Sequence, residues 1–314
     1  MFGEIMTTSL DVFKRELRRI RPFLDTIEWE DEALTPEKAY VAAVFSKIAY
    51  LAIPDFELRN HRLAKIIPCL TYRELIASGT RPELGQLLLE AEISNDVFVD
   101  TSTNHVAAVI IKAPSVIIIA LRGTRPLYIS DWMIDLHISK TLVSVGREYD
   151  QVRLHSGFFL AITNCLEKIG KEVQARTADS PMPVYVVGHS LGGAMAAIAF
   201  ALDGLPFCSR YRFGVDTTTI LGAHSSYCYG MPRYGDDRAT QQLRTPFHMY
   251  NSKDVVPTMP PRWLGFNNVP NEYRADGPTH LLHKVQDNQR NRWRGVRHHM
   301  IERYIRHLGN IEDP

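Results

Sequence analysis

The residues best suited to chemistry lie in one stretch, VYVVGHSLGGAMAAIAFAL, residues 184–202. It runs from an apolar strand through Gly188-His189-Ser190-Leu191-Gly192 into an apolar helix, the pattern of a nucleophile elbow. Such a strand-to-helix turn is sharp enough to strain the serine backbone, and a Cβ at either flanking glycine would strike the neighbouring strand or helix. The helix start beneath the serine offers backbone N–H donors and the positive end of a dipole where an anion would develop. At ordinary Gly and Ser usage, roughly one chain in ten of this length would hold the bare pattern by accident. Few accidents would also have the strand before it and the helix after it.

A serine hydroxyl needs a base to take its proton, and the base needs an acid to orient it. For an elbow serine, the acid and then the histidine follow in chain order. Asp254, in YNSKDVVPTMPP, lies just past a strand-like run ending at Tyr250, where parallel-sheet folds place functional loops. The pair His298-His299 precedes the last helical segment. Asp203, Asp236, Asp237 and Glu272 remain alternatives for the acid, and His280 and His283 for the base. HLLH at 280–283 could also ligate a metal, but no further ligands stand at supporting spacing. Neither metal nor other cofactor is expected.

The elements that must position these residues read as alternating strands and helices. Thr35-Pro36 opens a helix with an N-cap and a proline in the first turn. Val97–Val99, Val106–Ile111, Ser115–Leu121 and Pro183–Val187 read as strands. Leu154–Ala175 reads as one helix and Leu191–Leu202 as another. Short strands follow at Thr219–Leu221, Tyr227–Tyr229 and Phe247–Tyr250, and a last helix covers Met300–Leu308. Alternation of this kind predicts a mostly parallel central sheet with helices on both faces, an α/β fold. Residues 1–35 read as a charged helical leader. Its helix, near Leu10–Ile20, carries Lys14, Arg15, Arg18 and Arg19 on what reads as a solvated face. Residues 36–314 read as a single domain.

Composition narrows the class further. A hydrophobic share of 45% over 314 residues is enough for a sizeable core, and the net charge of +1 gives no reason to expect nucleic acid as a partner. The N-terminal residues lack the basic start and apolar run of a secretory signal, so a cytoplasmic location is expected, with signal-independent secretion or a trimmed signal left open. Cys69, Cys165, Cys208 and Cys228 show no paired or metal-ligand spacing, as expected of buried free thiols.

These blocks together resemble the class 3 lipases, the family typified by secreted fungal triacylglycerol lipases, over roughly the last two thirds of the chain. IALRGT (119–124), DWMIDL (131–136), VRLHSGFFLAI (152–162), VVGHSLGGA, YGMPRYGD (229–236) and NSKDVVPTMPP (251–261) come in the family's order. The resemblance implies an α/β-hydrolase fold, Ser190 as nucleophile and Asp254 as acid. The family often has Tyr five residues after its catalytic histidine, a spacing matched by His299 and Tyr304 and not by His298, so His299 is the expected base. Thr124, through its backbone N–H and hydroxyl, and the backbone N–H of Leu191 would form the oxyanion hole. One donor after the serine and one from an earlier loop is also what an elbow of this geometry provides. The gap between Thr124 and Asp131 is longer than the family pattern, at what would be the pocket mouth.

Ile129, Trp132, Met133 and Leu136 fall on one helical stripe. The resemblance makes this stretch a lid that opens at a lipid–water interface; a fixed helix packed on the body gives the same stripe. The expected activity is hydrolysis of fatty-acyl glycerol esters through an acyl-enzyme. Phospholipase A1, monoacylglycerol lipase and feruloyl or short-chain esterase activities are the alternatives. A non-catalytic interaction scaffold is the rival outside enzymes.

Overall fold

The computed structural model describes residues 2–52, 80–103, 106–122, 139–146, 150–209, 221–277, 283–284 and 298–310. At its centre is an eight-stranded sheet ordered β1-β2-β3-β6-β8-β9-β10-β11. The strands are β1 (Asp96–Thr103), β2 (Val106–Lys112), β3 (Ile117–Leu121), β6 (Val184–His189), β8 (Ala223–Tyr229), β9 (Phe247–Tyr250), β10 (Glu272–Arg274) and β11 (His283–Lys284). From β3 to β10 every pairing is parallel, while β1, β2 and β11 join antiparallel at the edges. The α/β fold with a mainly parallel sheet therefore holds.

Residues along β6 alternate between two cores. Tyr185 and Val187 enter a cluster with helices α1 (Phe2–Thr26), α2 (Pro36–Ile48), α3 (Thr80–Glu90) and α8 (Ile301–Leu308). Val184 and Val186 enter a second cluster with α4 (Ser156–Thr163), α5 (Leu166–Thr177) and α6 (Leu191–Leu202). A strand apolar on both sides can be covered on both faces, which is why β6 lies mid-sheet. Every residue of α6 is buried, as expected of a helix apolar all round.

Helix α1 runs well beyond the Leu10–Ile20 expected for it. Arg15 and Arg18 are exposed as read, but Phe13, Leu17, Ile20, Phe23 and Leu24 form an opposite stripe buried in the first core. Each such side chain contributes roughly 1.5–3 kcal/mol on burial. Thr35 caps α2 by accepting from the Lys38 N–H at 3.2 Å, with Pro36 in the first turn.

The expected single helix over Leu154–Ala175 is corrected. β4 (Lys140–Val145), β5 (Asp150–His155) and β7 (Phe207–Ser209) form a separate antiparallel sheet ordered β5-β4-β7, so Leu154 is a strand residue. The helical part breaks between α4 and α5 at Asn164 and Cys165. β5 ends at His155 and α4 begins at Ser156, so no loop separates them. Of the run Thr219–Leu221, only Leu221 is described, and it lies outside a strand. Cys165 and Cys228 are buried free thiols and Cys208 is half-buried.

Candidate active site

The parallel strands end in the loops that carry the site. β6 ends at His189 and α6 begins at Leu191, leaving Ser190 alone at the turn with φ 60° and ψ −131°. A non-glycine residue with positive φ stores strain of about 1–3 kcal/mol, so surrounding contacts must hold it. They do so through backbone bonds. The Ser190 N–H donates to Tyr229 O at 2.9 Å, across to β8, and the Ser190 carbonyl accepts from Gly193 N at 3.0 Å. A Cβ on Gly188 would lie 2.7 Å from Gly193 N and collide with the Gly192 backbone. One glycine of the motif thus makes room for the other, which is the local reason for the pattern.

Asp254 sits in the loop after β9 and is wholly buried. Its Oδ1 accepts the Val256 N–H at 2.9 Å. Its Oδ2 accepts the Tyr304 hydroxyl at 2.5 Å and pairs with His299 Nδ1 at 2.8 Å. An ionised carboxylate only accepts, so Nδ1 carries the hydrogen and Nε2 of a neutral ring presents its lone pair. Burial, with Asp254 next to it, pushes the Tyr304 hydroxyl well above its ordinary pKa, so it remains a donor. Gly230, at φ 54°, lies beneath this group. A Cβ there would be 2.7 Å from both Asp254 Oδ2 and the Tyr304 hydroxyl and 3.0 Å from His299 Nδ1.

Ser190 Oγ and His299 Nε2 are both buried without a hydrogen-bond partner among the described residues. Their backbones are held close together. His189, the residue before Ser190, lies tilted against the His299 ring with centroids 4.5 Å apart and bonds the His299 carbonyl through Nε2 at 2.5 Å.

The alternatives go elsewhere. Asp203 accepts the N–H groups of Leu221 and Ala223, at 2.5 and 2.8 Å. Asp236 caps helix α7 (Asp237–Gln242). Asp237 holds Gln241 and Asn267, and Glu272 faces His248. His298 is partly exposed, and its Nδ1 pairs with Arg303. His283 lies on β11, and His280 lies outside the described residues. Leu191, at the first position of α6, has an N–H without an intrahelical acceptor, as every helix start does. Thr124 and the stripe of Ile129, Trp132, Met133 and Leu136 lie outside the described residues.

Three participants escaped the sequence reading. Gly230 was quoted only as part of a block, although a glycine directly after a strand end is a signal for close backbone approach. Asn251 holds the His298 carbonyl at 2.9 Å. Tyr50 donates to His189 from 139 positions earlier, and no local pattern marks it.

Residues 118–263 match the family described as Lipase (class 3). A secreted mono- and diacylglycerol lipase of Fusarium solani is 33% identical over 132 residues, 40% of this chain and 34% of that protein. One from Malassezia globosa is 29% identical over 177 residues, 52% of this chain and 53% of that protein. These matches span between a third and about half of the relatives' length. Among solved structures, a mutant form of MDLA from Penicillium cyclopium superposes with a TM-score of 0.53 at 20% identity, covering 82% of this chain and 89% of that one, and shows the shared fold. The relatives are named as secreted, so the cytoplasmic expectation finds no support in them, and no described helix is long and apolar enough to cross a membrane. Over residues 118–263, somewhat less than half of its length, the chain is thus similar to the class 3 lipase family.

Proposed function

We propose that this protein hydrolyses carboxylic esters of fatty acids, with glycerol esters as its substrates and Ser190, His299 and Asp254 as its catalytic triad. One observation carries the reading: His299 is tied to a buried carboxylate by one nitrogen, while its other nitrogen and the Ser190 hydroxyl are left buried and unpaired. A buried polar atom without a partner costs about 1–3 kcal/mol, a cost tolerated where the atom has work to do.

In the proposed mechanism His299 Nε2 takes the Ser190 proton as Oγ attacks the ester carbonyl. Asp254 holds the ring in the tautomer that exposes Nε2 and stabilises the imidazolium that forms. The Leu191 N–H, at the start of α6, faces the developing oxyanion, and Thr124 supplies the second donor. The imidazolium then protonates the leaving alcohol, and a water activated by the same nitrogen releases the acid. The stripe from Ile129 to Leu136 is assigned to a lid at a lipid–water interface, and a secreted site of action agrees with the relatives' names.

Ser190→Ala is expected to lower turnover on p-nitrophenyl esters by at least ~1000-fold with an unchanged circular dichroism spectrum. It should also abolish labelling by a fluorophosphonate. Substantial residual hydrolysis would remove Ser190 from the mechanism. Rates across increasing acyl length, below and above the solubility limit, separate a lipase from a short-chain esterase.

A further inference from the structure

His189 touches the proposed base and is bonded to the proposed nucleophile's residue, yet the mechanism above does not use it. Its ring is wholly buried and both nitrogens are engaged, Nδ1 with the Tyr50 hydroxyl at 2.7 Å and Nε2 with the His299 carbonyl at 2.5 Å. A histidine with both nitrogens occupied cannot take the Ser190 proton, so adjacency to the nucleophile does not make it a rival base.

The pattern of partners fixes where its hydrogen sits. A backbone carbonyl only accepts, so Nε2 must carry the hydrogen. Burial and the neighbouring His299 hold the ring's pKa well below its ordinary value, so it is neutral and has one N–H only. Nδ1 is then a bare lone pair, and the Tyr50 hydroxyl must be the donor. Without that hydroxyl the ring would be free to place its hydrogen on Nδ1, turning the Nε2 lone pair against the His299 carbonyl oxygen.

We propose that His189, with its tautomer set by Tyr50, is a positioning residue for His299, pinning its backbone carbonyl and supporting its ring from one face. Asp254 fixes His299 through Nδ1 and leaves rotation about that bond. The His189 ring, 4.5 Å away and tilted by 33°, limits that rotation. Tyr304 closes the same corner, its ring 5.9 Å from that of His189. Because His189 and Ser190 are consecutive, whatever seats His189 also sets the separation between nucleophile and base, a geometry to which rates are steeply sensitive. Tyr50 lies outside the segment that matches the family, so a residue of this chain's N-terminal region bears on the proposed base by way of His189.

The proposal rests on the Ser190–His299–Asp254 reading, and the test separates the two. Tyr50→Phe, His189→Gln, His189→Leu and the Tyr50→Phe/His189→Gln double variant are assayed on a soluble short-chain p-nitrophenyl ester. Turnover is normalised to the fraction labelled to completion by a fluorophosphonate, and melting curves are recorded alongside. Tyr50→Phe is expected to lower kcat about tenfold, the worth of one buried neutral hydrogen bond. KM should stay within about twofold, because neither residue meets substrate. His189→Gln keeps a donor that needs no tautomer, so it should outperform His189→Leu clearly and make the added Tyr50→Phe change silent. Unchanged kcat in Tyr50→Phe, or equal losses for Gln and Leu at position 189, overturns the proposal while leaving the triad standing. A wild-type protein that neither hydrolyses the ester nor takes the label overturns the triad reading and this one together.

Discussion

His299 and His248 both meet a carboxylate inside the protein through Nδ1, at 2.8 Å to Asp254 and 3.1 Å to Glu272. Both pairs sit near the C-terminal end of the parallel sheet, and both histidines are buried. The difference lies at the far nitrogen. His248 Nε2 accepts the Met231 N–H at 3.2 Å, whereas His299 Nε2 has no partner among the described residues. His248 therefore braces the turn after β8, one residue from Gly230, and has nothing left to offer a substrate. A buried histidine–carboxylate pair identifies a candidate base only when the other nitrogen is free. His155 marks the opposite extreme, with neither ring nitrogen paired to any described residue, stacked on Phe158 at 4.0 Å.

The contrast can be broken by exchanging losses between the two pairs. His299→Ala should lower kcat by at least ~1000-fold, and by up to about 10⁶-fold if serine and histidine act as a unit. His248→Ala should lower kcat of the folded protein no more than about tenfold while costing about 1–3 kcal/mol of stability in urea melts. The cost arises because the Met231 N–H and the Glu272 carboxyl lose a buried partner. Equal effects on kcat would erase the distinction. Asp254→Asn comes next, at roughly 10⁴-fold, because an amide can hold the ring in the wrong tautomer. Steady-state turnover with the labelled fraction measured separately decides it, and a loss under tenfold would remove Asp254 from the proposed triad.

The smallest effect concerns His155, and it is a stability effect. Burial lowers its pKa to about 4. The ring is thus neutral in the folded protein, and below about pH 6.5 the unfolded chain binds the extra proton. Its contribution is fully present above that pH and is lost as the pH falls towards 4. About 2 kcal/mol should disappear between pH 7 and pH 5, and His155→Phe should flatten that part of the curve in urea melts. An unchanged slope in the variant would exclude His155 as its source.

How much of this was legible follows from how local each constraint is. The Ser190 elbow was readable because its strain and crowding fall within five consecutive residues, and the glycines that relieve them are in the same window. Asp254 was readable as a loop residue past a strand, but Asp203, Asp236, Asp237 and Glu272 carried the same kind of signal. What separates them is the hydrogen bonding each receives in the fold. His298 and His299 are neighbours at the start of α8, where helical phase says nothing. The choice became geometric once Asn251 was seen to hold the His298 carbonyl and Asp254 the His299 ring. The β5–α4 boundary escaped because strand and helix follow each other directly, at His155 and Ser156, with no loop between them to read.

By itself the sequence determined an α/β sheet, a strained serine at the head of α6 and a short roster of acids and histidines to serve it. These are properties of periodicity and of steric fit over a few residues, and the local chain encodes them. Only the tertiary structure decided which acid meets which histidine, which histidine keeps a nitrogen free, and that Tyr50 reaches the elbow at all. Those pairings join residues separated by 45 and 139 positions. Contacts at such separations are set by how strands order and helices pack, and no window of neighbouring residues records them.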